Sequence, residues 1–180
     1  IIPNIDVALG IMESNLGKTS SNLWRTVAIK DIGGWNEKQT SSQEYDLLSR
    51  LFNKGAKFKR LTNCKTIIRQ RESGQISQGN QKLLWENYTN LRVRFYNDSI
   101  KPLKDNALEK KALQCIFGAT QILHQYNPDL ALQIHKIILK SNYFKPTTKT
   151  IRSKLYFLIY QAFGFQLAER IRMSLKKTQN

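Results

Sequence analysis

The chain has 180 residues, 41% of them hydrophobic and 10% aromatic, with only 9 Gly and 4 Pro. That is enough apolar material for a core, and it excludes a disordered or collagen-like chain. Charge is the outlier: 29 Lys and Arg against 13 Asp and Glu give +16, which calls for an anionic partner such as a nucleic acid, a phosphate-bearing ligand or an acidic membrane surface.

Cys64 and Cys115 stand apart, with no CxxC and no His at ligand spacing. Neither zinc nor a disulfide framework is expected, and the compartment expected is the reducing cytoplasm. The chain opens Ile1-Ile2-Pro3 with no Met and no leader pattern, which reads as a fragment whose N-terminus lies upstream.

In chain order, Asp6 to Met12 is an apolar run of strand length. Asn22 can cap a helix over Leu23 to Ile32, closed by Gly33-Gly34. Ser41 and Glu44 have capping-box spacing ahead of a helix through Tyr45, Leu48, Leu51 and Phe52, with Gly55 at its end. Ala56 to Leu61 and Lys65 to Arg71 read as strands. Beyond Gln78 the pattern is helical: Leu84, Tyr88, Leu91 and Phe95 share one face, and Leu108, Ala112, Cys115, Ala119 and Ile122 share another. Asn127-Pro128 opens a helix to about Leu139. Asn142 to Lys149 is a loop, and Thr148 can cap a last helix through Ile151, Leu155, Leu158, Ala162, Leu167 and Ile171. The reading is an α/β portion, residues 1–80, joined to an all-helical extension, residues 81–180. Residues 1–99 carry 15 basic and 9 acidic groups, and residues 100–180 carry 14 and 4, so the second half is the more basic.

One block carries a family pattern: Ser21-Asn22-Leu23-Trp24-Arg25, then Ile32-Gly33-Gly34-Trp35-Asn36-Glu37, then Gln43-Glu44-Tyr45-Asp46-Leu47-Leu48-Ser49-Arg50-Leu51, then Gly55. In order and spacing over residues 15–80 it resembles the second half of the catalytic domain of family-2 glycosyltransferases. The Arg69 to Ser77 segment is similar to that family's loop after the last core strand. The resemblance implies a partial GT-A, Rossmann-like fold followed by helices. It implies a parent that transfers a sugar from a nucleotide-diphosphate donor to a glycan or lipid-linked acceptor, with inversion, in polysaccharide or glycan synthesis.

On that reading Glu44 is the general base and Asp46 the second carboxylate. Arg69 and Arg71 lie near the diphosphate, with Ser21, Asn22 and Trp35 near the acceptor. A first-turn carboxylate is held ionised by the helix dipole, which suits a base. Read without the family, Glu44 is a capping residue and Asp46 a dipole partner. No D-x-D occurs in the chain. The resemblance therefore implies a divalent cation, Mg or Mn, whose ligands lie outside this sequence, and a fragment inactive alone.

For the basic helices after residue 80 three readings stand: packing on the catalytic domain, peripheral attachment to an anionic membrane, and nucleic-acid binding. The membrane reading rests on Leu155 to Tyr160, flanked by Lys149, Arg152 and Lys154 before and Arg170, Arg172, Lys176 and Lys177 after. The run is too short to span a bilayer. No nucleic acid is expected beside the acidic block. The alternative to the enzyme is a non-catalytic basic helical module that binds anionic membrane or nucleic acid.

Overall fold

The computed structural model describes residues 1–61, 66–67, 79–147 and 151–177, with side chains of the last helix described for residues 154–175. Among these residues seven α-helices follow one another: α1 (Asn4–Glu13), α2 (Thr26–Asp31), α3 (Gln43–Asn53), α4 (Gln81–Phe95), α5 (Asn106–Leu123), α6 (Pro128–Ile134) and α7 (Ile151–Lys177). Wide π turns extend α4 over Tyr96–Ile100 and α6 over His135–Lys140.

The described residues contain no strand. The α/β, partial GT-A expectation is therefore corrected to an all-helical fold. Asp6 to Met12 is helical because its apolar residues also fit a helical stripe. Val7, Ala8, Ile11 and Met12 are buried together, Pro3 stands at the N-cap, and Asp6 lies in the first turn, where the dipole favours it. Ala56 to Leu61 is irregular: the Ile2 N–H donates to the Phe58 carbonyl at 2.8 Å, but no ladder follows. Lys65 to Arg71 lies largely outside the described residues.

The later helices start where short polar side chains can take the free N–H groups of the first turn. Asn80 accepts from Leu83 N, Asp105 from Ala107 N and Leu108 N, and Asn127 from Leu130 N, at 2.9–3.1 Å. One apolar cluster runs from Val7 of α1 through Tyr45 and Leu48 of α3, Leu91 and Phe95 of α4 and Ile116 of α5 to Phe165 of α7. α5 is its spine, packed against α1, α4 and α6.

α7 is broken at Gly164, whose φ of 81° and ψ of 178° belong to a region only glycine enters readily. The Tyr156 hydroxyl donates to Glu169 Oε1 at 2.7 Å across the break. In a straight helix thirteen residues span about 20 Å, so the two halves fold back on each other. Both halves bring rings against Phe117 of α5: Tyr156, Tyr160 and Phe165 lie within 6.1 Å of it, centroid to centroid.

Candidate functional site

The start of α3 differs from a capping box. Its N-cap is Ser42, left-handed at φ 56° and without a side-chain cap. The Ser41 hydroxyl instead accepts from Asn87 of α4 at 3.2 Å, and the same amide reaches Thr40 at 3.0 Å. Glu44 is then the second helical residue, half-buried, with no hydrogen bond or ion pair among the described residues. Next to it Tyr45 is buried, and burial first, then the Glu44 charge, pushes its phenol up to about 12.

Asp46 is 1% exposed and fully engaged. Its Oδ2 accepts from Arg50 Nε at 2.9 Å and its Oδ1 from Arg94 of α4. Arg50 reaches further, donating from one nitrogen to the carbonyls of Ile32 at 2.9 Å and Gly34 at 2.8 Å. Those carbonyls belong to the glycine turn that ends α2. Gly33 N donates to Lys30 O and Gly34 N to Ile29 O, both at 2.9 Å, and both glycines have φ near 75°. That is the paired-bond termination that left-handed glycines allow. The motif block is thus a clamp in which α3, through Asp46 and Arg50, holds the α2 turn. The turn sets Trp35 edge-on to Trp24, centroids 6.2 Å apart, with Trp35 exposed.

Ser21 and Asn22 lie elsewhere, in a cleft of about 950 Å³. Leu16, Ile29, Leu48, Leu51 and Phe58 form its apolar wall, and Arg25, Lys57, Lys59 and Arg60 bring positive charge without a carboxylate. The Asn22 amide nitrogen is buried there without a partner among the described residues. Neither Glu44, Asp46 nor Trp35 lines this cleft. Arg69 and Arg71 lie outside the described residues. The basic rim was absent from the sequence reading, although the alternation Lys57-Phe58-Lys59 advertised it.

A second surface runs along α7. Tyr156, Tyr160, Phe165, Ala168 and Glu169 turn inward, while Leu155, Leu158, Phe163, Leu167 and Leu175 are exposed beside Lys154 and Arg170. Glu169 is fully buried and held by Tyr156, by Gln121 at 3.1 Å and by Arg172 at 2.6 and 2.9 Å. Burial, followed by the Glu169 charge, pushes the Tyr156 phenol well above its ordinary value. His135 stacks on Phe165, centroids 4.5 Å apart, with Nε2 2.7 Å from the Tyr160 hydroxyl. Burial, then Lys140, lowers it to about 4, and burial also lowers His124.

These placements correct the enzyme reading. The described residues offer no sheet to carry a nucleotide, and no three His, Cys, Asp or Glu side chains among them gather as a metal site. A nucleotide-sugar donor, sugar transfer and the glycosyltransferase assignment are therefore withdrawn. The resemblance traced a glycine turn and the helix that clamps it, a local pattern that an all-helical fold also accommodates. No helix among the described residues is long and apolar enough to cross a membrane. No protein-family model, no curated protein and no solved structure matches the chain.

Proposed function

We propose that this chain is a non-catalytic basic helical module that binds the surface of anionic membranes, with α7 lying in the interface. The observation that carries the reading is the outward row of large apolar side chains on α7. Leu158 is 62% and Phe163 68% exposed, with Leu155 and Lys154 beside them on the half of α7 before Gly164 and Arg170 exposed on the half after it. Each such side chain gains about 1.5–3 kcal/mol when buried. Each basic residue near an anionic leaflet adds about 1 kcal/mol. The two terms combine only where apolar and cationic groups share a face, which is the pattern of an interfacial helix. A nucleic acid draws on the charge and leaves the leucines in water, so it uses half of the surface.

Co-sedimentation with vesicles tests this. Binding is expected to phosphatidylglycerol-containing vesicles, to weaken with added salt, and to be lost on pure phosphatidylcholine. Leu155→Glu with Leu158→Glu changes two exposed positions and is expected to weaken binding at least about tenfold without unfolding the chain. Absence of binding to anionic vesicles at low salt overturns the reading. So does binding that the double variant leaves intact, or tight binding to duplex RNA that it does not alter.

A further inference from the structure

A smaller cavity, about 340 Å³, opens where α1, α4 and α5 meet, and Glu13, Trp85, Tyr88, Arg92, Cys115 and Gly118 are among its lining residues. It lies on elements other than α7 and shares no residue with the 950 Å³ cleft.

Arg92 sets this cavity apart. The residue is 3% exposed, yet its guanidinium has no carboxylate within ion-pair distance among the described residues. Nε donates to the Met12 carbonyl at 2.8 Å, one terminal nitrogen to the Tyr88 carbonyl at 3.1 Å, and the other to the Ser14 hydroxyl. Its carbon lies 3.2 Å from the centroid of the Tyr88 ring. All these partners are neutral. They orient the cation without cancelling its charge, and of the five N–H donors of a guanidinium these contacts use three. The molecule treats its other ion-pair sites differently. Asp46 has Arg50 and Arg94, and Glu169 has Arg172. A buried cation without a counter-charge is costly, and an anion entering from outside relieves that cost. Burial lowers Arg92 only to about 10, so the charge persists at neutral pH.

The rest of the lining narrows the class of anion. Trp85 and Tyr88 both line the cavity and meet edge-on, centroids 4.9 Å apart. Gly118 leaves open space where a side chain would project. A volume of this size is at the lower end of small-molecule pockets, which run about 300–1,000 Å³. Glu13 on the same lining opposes a second negative charge.

We propose that this cavity binds a small organic monoanion, a carboxylate on an aromatic or aliphatic body, with the carboxylate on Arg92 and the body between Trp85 and Gly118. A charged, hydrogen-bonded carboxylate on a guanidinium is about twice as strong a contact as a neutral hydroxyl in the same place. The site therefore distinguishes an acid from its alcohol.

Fluorine NMR titration in vesicle-free buffer tests the site, with 4-(trifluoromethyl)benzoate as the probe and 4-(trifluoromethyl)benzyl alcohol as its neutral counterpart. The benzoate is expected to bind at least about tenfold tighter than the alcohol. Arg92→Met is expected to remove that preference if the variant folds. Because it removes buried contacts, the deciding variant is Gly118→Leu. That substitution fills the open space, keeps Arg92, and is expected to abolish binding while circular dichroism holds and the urea midpoint does not fall. The proposal is overturned if the benzoate does not bind, if acid and alcohol bind equally, or if folded Gly118→Leu binds as the parent does. None of these outcomes depends on membrane attachment by α7.

Discussion

Replacing Asp46 by Asn keeps the side chain's shape and removes its charge. The carboxylate is 1% exposed and gives one oxygen to each of two arginines, Arg50 and Arg94. An Asn can accept from only one of them and must turn its own N–H groups toward the other. The lost charge-assisted hydrogen bond alone is worth about 1.5–3 kcal/mol. Breaking a wholly buried pair costs about 3–5 kcal/mol. The arginine side chains here are 29% and 49% exposed, so water takes back part of what the carboxylate gave up. The expected loss is about 2–3 kcal/mol, and a chain of this length should melt about 5–10 °C lower. Urea unfolding followed by tryptophan fluorescence measures it: the midpoint falls while the slope stays unchanged. Arg94→Ala is the internal comparison. It removes the more exposed partner and is expected to cost at most about 1 kcal/mol. A loss below about 0.5 kcal/mol for Asp46→Asn would refute the view that this carboxylate holds α3, α4 and the glycine turn together.

Gly118→Ala, in the interior of α5 where a Cβ meets open space, is expected to raise stability by about 0.5–1 kcal/mol, read as a higher urea midpoint. His135 gives acid sensitivity with a definite sign. Burial holds it near 4 in the folded chain, below its ordinary 6.5, so between those values the unfolded chain binds the extra proton. Stability is therefore expected to fall as pH drops from about 6.5 to about 4. The ring keeps partial contact with water, so its share is about 1–2 kcal/mol. The groups facing it are Tyr160, Phe165 and Lys140, and His124, edge-on to the same Phe165 ring, is shifted in the same direction. His135→Phe should flatten the pH dependence of the urea midpoint, and an unchanged slope against pH would sink the assignment.

The helical half of the chain was legible because its signals are local. Asn127 before Pro128 and the 3-and-4 spacing along α4 and α5 each act within a few residues. The first half misled for a physical reason. A short apolar run such as Val7 to Met12 buries equally well as strand or helix, and only its neighbours decide. α5 supplies a surface for a stripe, and the described residues provide no adjoining strand. The glycine turn and the arginine that clamps it were visible as a spacing. What the clamp is for was not, because Glu44 and Asp46 differ in burial rather than in type. Arg92 was one basic residue among 29, and what singles it out is the closure of α1 over it, which no local pattern announces.

The break at Gly164 also determines how the last segment carries load. A continuous helix of 27 residues would be a rod of about 40 Å that passes tension straight along its axis. The folded-back segment does not. A pull on its second half falls first on the clasp formed by Tyr156, Glu169, Arg172 and the Gln121 carbonyl of α5.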